Sequence, residues 1–178
     1  MDATCPSELC DEFRRFAVGK LKDSLSQIER CLNLLTEEQI WHRPNDVSNA
    51  IGNLVIHLDG NVRQWIIGGV GQEPFERDRP AEFAQREPLP TEQILDGLRQ
   101  TVDRASAIIR NLSPERLLEL EEIQKREVSV LAAVFHVVEH FTLHTGQIVY
   151  ATKILIGEDL SLYDAQGQRV ADRPTDAV

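Results

Sequence analysis

The stretch VSVLAAVFHVVEHFTLHTGQIVYATKILI, Val128 to Ile156, decides the fold. It holds three of the chain's five histidines, His136, His140 and His144, at a strict spacing of four. No proline interrupts it, and apolar residues recur through it at helical spacing, so it reads as one long helix. Residues four apart on a helix lie about 40° apart around the axis and about 6 Å apart along it. Neighbours in the row can therefore share one metal ion, each imidazole nitrogen about 2 Å from it. The outer two, about 12 Å apart along the axis, cannot do so without strain. One neighbouring pair is expected to ligate, and the third histidine to do something else. The plainer alternative, a polar core, would have to find a partner for every ring nitrogen of three imidazoles.

Working outward, three more long helices are expected. Glu8 to Leu35 carries Leu9, Phe13, Phe16, Leu21, Leu25, Ile28 and Leu32 in steps that give an amphipathic stripe. Thr36 with Gln39 has the pattern of a short capped turn, closed by Pro44. The second helix is expected from Ser48, a candidate N-cap, to Ile67. Its apolar stripe runs beside a polar row, Asn53, His57 and Asn61, at spacing four. Asp59 falls almost opposite His57 on such a helix and pairs outward with Arg63 rather than ligating. Gly68 and Gly69 are expected to stop this helix. Residues 68–90 then read as a long connection, a lid or an interface arm. Arg77, Arg79 and Arg86 in it are expected to pair with Glu76, Asp78, Glu82 and Glu87. Thr91 to Asn111 is the third helix, followed by a short turn at Ser113-Pro114. Residues 123–128 could be extended, but no sheet is expected. Gly157 ends the last helix, and residues 166–178 read as a loose tail.

The 178 residues are expected to form one domain, 1–178. A net charge of −10, with dispersed Lys and Arg, argues against a nucleic-acid partner. No apolar run is long enough to span a bilayer, and the acidic N-terminus lacks a signal-peptide core. Cys5, Cys10 and Cys31 form no CxxC pair and are odd in number, so free thiols and a cytoplasmic setting are expected.

Four amphipathic helices without a sheet imply an all-α four-helix bundle. Within it, only His57 on the second helix and the histidine row on the fourth supply imidazoles from mid-helix. His42, beside Trp41 in the first connection, reads as a surface or packing residue. Two ligands from the fourth helix and one from the second would leave a coordination position for water, as in catalytic sites.

NLVIHLDGNVRQW together with HVVEHFTLHTGQIVYATK resembles the DinB-like superfamily, including YfiT-type metal-dependent hydrolases. The resemblance covers residues 8–163. It implies a DinB/YfiT-like bundle of up-down-down-up topology, a divalent metal held by His57, His140 and His144, and a homodimer. Mycothiol- and bacillithiol-dependent enzymes of the same superfamily add a low-molecular-weight thiol as a possible cofactor. Zinc or nickel is expected first, and manganese or iron also suits imidazole ligands. Gln147 and Asn61 are the geometric candidates to orient the ligand rings. His136 is left as a supporting or core residue, and Glu139 as a weak candidate general base. The expected activity is hydrolysis or thiol transfer on a small-molecule substrate through a metal-bound water or thiolate. The alternative is a non-catalytic metal-binding interaction protein.

Overall fold

A computed structural model describes residues 4–162 and 164–166. Four long helices dominate it: α1 (Thr4–Asn33), α3 (Ile51–Val62), α5 (Thr91–Arg110) and α7 (Val130–Ile156), with α2 (Glu37–Trp41), α4 (Arg79–Ala84) and α6 (Pro114–Leu118) in the connections. Their apolar faces meet in one core that includes Leu21, Ile28, Leu58, Leu98, Ile109, Phe141 and Ile148. The long helices bury most of the stripes their periodicity marks out, but Leu9 and Phe16 of the α1 stripe are 70% and 55% exposed.

Contacts along the helices fix their directions. Arg14 near the start of α1 donates to Leu112 O just beyond α5, while Arg99 near the start of α5 reaches Glu29 near the end of α1, so α1 and α5 are antiparallel. Asp59 and Thr101, then Glu73 and Arg104, run α3 parallel to α5. His57 meets His140 and Trp65 meets His136, so α3 and α7 are antiparallel. The bundle is therefore up-down-down-up, as the resemblance implies.

The connections depart from expectation in four places. Helix α3 is capped at Ala50, not Ser48; the Ala50 N–H donates to Asn53 Oδ1, 3.2 Å away. Gly68 and Gly69 do not stop the helix. The chain widens into a π-helical segment, Arg63–Val70, whose glycines let the Phe75 and Ile123 side chains close against the backbone. Residues 120–129 do form a sheet, a hairpin of β1 (Leu120–Ile123) and β2 (Arg126–Ser129). Finally, the 68–90 connection is partly helical, through the end of the π-helical segment and through α4 (Arg79–Ala84). Past the π-helical segment it folds back along α3 through α4.

Other expectations hold. Thr36 and Gln39 make a reciprocal capping box, Ser113 caps α6, and Gly157 ends α7 at φ 70°. Arg63 pairs with Asp59 at 2.8 Å. Beyond α7 the structure adds that Leu160 is buried and Leu162 packs on the core. Cys10 and Cys31 are free and buried. The tail falls outside the described residues from 167 onward. Among the described residues, no helix is long and apolar enough to cross a membrane.

Candidate metal centre

The antiparallel packing of α3 on α7 brings His57 opposite the gap between His140 and His144. One ring nitrogen from each of the three lies within 4.8 Å of the others. His57 Nε2 is 2.9 Å from His140 Nε2. Bonds of about 2.1 Å to a tetrahedral ion would set such nitrogens roughly 3.4 Å apart, so small ring rotations would admit a cation. The donor set, three imidazoles, suits a borderline divalent ion.

The second ring nitrogens are held from behind. His57 Nδ1 lies 2.8 Å from Glu82 Oε2, and both side chains are almost wholly buried. Arg77 grips the same carboxylate with two bonds, Nε to Oε1 at 2.6 Å and a terminal nitrogen to Oε2 at 2.9 Å. It also donates to Gln64 at 2.6 Å. Burial works to raise the Glu82 pKa, but the His57 and Arg77 hydrogen bonds and the guanidinium charge outweigh it. The group lies below its ordinary value. Glu82 is thus a carboxylate, and it keeps the proton of His57 on Nδ1 and the lone pair on Nε2. On the other helix, His144 Nδ1 lies 2.7 Å from Gln147 Oε1, which fixes that ring in the same sense.

Local structure explains why Glu82 arrives there. Asp78 accepts from Ala81 N and Pro80 sits in the first turn, so α4 starts firmly. The Asn53 amide donates to Glu82 O and Gln85 O at 2.9 and 3.1 Å, which ties α4 across the start of α3. Gly60 makes the space. A Cβ there would collide with Glu82 Oε1 and lie 2.9 Å from Arg77 Nε.

The remaining sequence candidates fall elsewhere. His136 lies outside the trio: its ring packs at a tilt against Trp65, 4.2 Å between centroids, and stacks on His140 at 5.5 Å. Trp65 itself is buried in the core. Asn61 does not orient His57, whose Nδ1 belongs to Glu82. It is buried, and its Oδ1 has no hydrogen-bond partner among the described residues. Glu139 is exposed, and its charge acts on His136. His42 is exposed. Arg79 lies over the Phe83 ring and Arg86 bonds backbone carbonyls, so of the three loop arginines Arg77 makes the expected ion pair.

Burial, then the neighbouring His144, His57, His136 and Arg77, push His140 down to about 4. Burial also lowers His144, against the Gln147 hydrogen bond and with His57. Rings held neutral this way are ready to ligate at pH 7 without first losing a proton.

A helical bundle of this topology is the fold that the resemblance to the DinB-like superfamily implies. Two solved structures share its fold: a conserved protein from Enterococcus faecalis, 17% identical at a TM-score of 0.69 over 81% of this chain and 97% of that one, and a DinB-like protein from Bacillus cereus, 17% identical at 0.61 over 81% and 93%. The chain itself belongs to the family described as "Protein of unknown function (DUF1572)", which matches residues 8–165. No curated protein matches it.

Proposed function

We propose that the protein is a divalent-metal-dependent enzyme that hydrolyses a small molecule, with His57, His140 and His144 as the metal ligands and zinc or nickel as the metal. The observation that carries this reading is the convergence of three ring nitrogens, two of them with their far nitrogens anchored by Glu82 and Gln147. Among the described residues the cluster has three protein donors, which leaves a tetrahedral ion one position for water or substrate. A cation so held supplies Lewis acidity and makes water a better nucleophile near neutral pH. The chain's part is positional. Glu82 and Gln147 hold protons at Nδ1 of His57 and His144, Arg77 keeps Glu82 ionised, and burial keeps His140 and His144 neutral. Neither buried cysteine serves as the nucleophile: both lie on α1, and burial raises the Cys31 thiol pKa further.

The test is turnover by zinc- or nickel-loaded protein on a panel of small esters and amides, with a parallel panel of electrophiles plus a low-molecular-weight thiol. Ester or amide hydrolysis that disappears in His57→Ala and under chelation is the expected result. Turnover only in the thiol panel would move the assignment to thiol transfer. Metal bound without turnover in either panel would favour a binding protein.

A further inference from the structure

A groove of about 460 Å³ opens between the start of α3 and the last turns of α7, a size ordinary for small-molecule sites. Its walls are mostly apolar, with Ile51 and Leu54 on one side and Ala151, Ile154 and Leu155 on the other. It adjoins the histidines. Gln147 lines the groove and also holds His144 Nδ1 at 2.7 Å. Leu54 and Gln147 each lie three residues from a histidine of the trio, about 4.5 Å along their helices.

No Lys, Arg, Asp or Glu lines this groove; its one imidazole, His42, is exposed to solvent and supplies no fixed charge at neutral pH. Two cations adjacent in sequence to lining residues are committed elsewhere: Arg43 donates to Ser48 O, Asn53 Oδ1 and Phe83 O at 3.1, 2.7 and 3.0 Å, and Lys153 faces Asp159 at 3.5 Å. The chain as a whole carries −10. An anionic ligand would lose its hydration here without meeting a counter-charge, and the protein's field would oppose its approach.

We infer that this groove is the substrate subsite of the metal centre and takes an uncharged, mainly apolar organic molecule, with its reactive group placed toward the histidines. The groove's selectivity stands by itself; its link to chemistry rests on the metal reading above. Carboxylate-bearing thiols are a poor match for it.

The experiment uses the full chain, first metal-free. Fluorescence titration compares the neutral probe N-phenyl-1-naphthylamine with its anionic relative 8-anilino-1-naphthalenesulfonate. The neutral probe is expected to bind about tenfold more tightly, and Ala151→Glu and Ile154→Glu each to weaken it about tenfold by placing a charge in the wall. Ile154 is 65% exposed, so a glutamate there leaves the fold intact. Leu143→Glu, on an exposed part of the same helix outside the groove, is expected to leave binding unchanged. Equal affinity for the sulfonate, wild-type binding by both groove variants, or an equal loss in Leu143→Glu overturns the subsite. Manganese(II) is then added, and its own binding is read from water relaxation. Broadening of the probe's proton resonances, absent in a His140→Ala/His144→Ala variant, places the probe beside the metal. Sharp probe lines with manganese bound refute the link to the metal centre. Should manganese not bind, cobalt(II), which imidazole ligands hold more tightly, takes its place, and failure of both ions to bind counts against the metal reading and leaves the groove's selectivity standing.

Discussion

Replacing Glu82 by glutamine separates the two tasks of the Arg77–Glu82–His57 chain. The side chains of Arg77 and Glu82 are 5% and 7% exposed, so water screens their pairing very little. Removing one member of a buried pair costs about 3–5 kcal/mol because the other charge is stranded. Glutamine retains the shape and an acceptor oxygen, so the loss should fall at about 2–4 kcal/mol. With a urea slope of about 2 kcal/mol/M, the unfolding midpoint drops by about 1–2 M. An added Arg77→Met removes the stranded guanidinium and should restore about half of that loss or more. Metal affinity should behave differently. An amide is a weaker acceptor for His57 Nδ1–H than a carboxylate, so zinc binding should stay about 10–100-fold weaker in both the single and the double variant. The assays are urea unfolding without metal and competitive zinc titration against a chromophoric chelator. Stability within about 0.5 kcal/mol of wild type in Glu82→Gln, or zinc binding restored together with stability in the double variant, would refute this division of labour.

Other perturbations have equally definite outcomes. Gly60→Ala gains helix propensity but intrudes on Glu82 and Arg77; a net loss of about 1–3 kcal/mol in unfolding free energy is expected. His140 is held down at about 4, below its ordinary value near 6.5, so the unfolded chain takes up its proton first. Metal-free stability should therefore be full above about pH 6.5 and decline as pH falls toward about 4, by no more than about 2 kcal/mol after allowance for the half-exposed ring. Glu82 adds to the acid side. Its lowered carboxyl pKa gives stability that is present above the usual carboxylate range and lost as pH falls through the folded value. A stability profile flat between pH 7 and 4 would contradict the His140 assignment, and one with no further loss below the usual carboxylate range would contradict that of Glu82. His136→Phe should keep the ring contact with Trp65 and a full complement of metal in elemental analysis; loss of the metal would place His136 among the ligands.

The helices were legible because each carries a long apolar stripe at one period, and the histidine row because spacing four on an uninterrupted helix admits one geometry. Gln147 was legible for the same reason, three residues beyond His144 on that helix. Glu82 was not. It lies on a six-residue helix in a charged, proline-bearing connection that reads as solvated, and its burial depends on Gly60 and Asn53, remote in sequence. The Asp78-Arg79-Pro80 start of α4 was the available cue. The hairpin was hidden because its turn places Gln124 and Lys125 at φ 54° and 62°, where Asn-Gly is the usual signal. The π-helical widening depends on Phe75 and Ile123 settling against two glycines, a tertiary event that local sequence does not encode. Asn61 was misplaced because spacing along α3 cannot show that α4 already occupies the far nitrogen of His57.

The most direct measurement is the metal content of the purified chain beside its His140→Ala/His144→Ala variant, both saturated with zinc and freed of excess. The trio predicts a single tightly held ion per wild-type chain and none in the variant, with folding of both checked by circular dichroism. A folded variant that keeps its ion would contradict the assignment of these rings as the ligands.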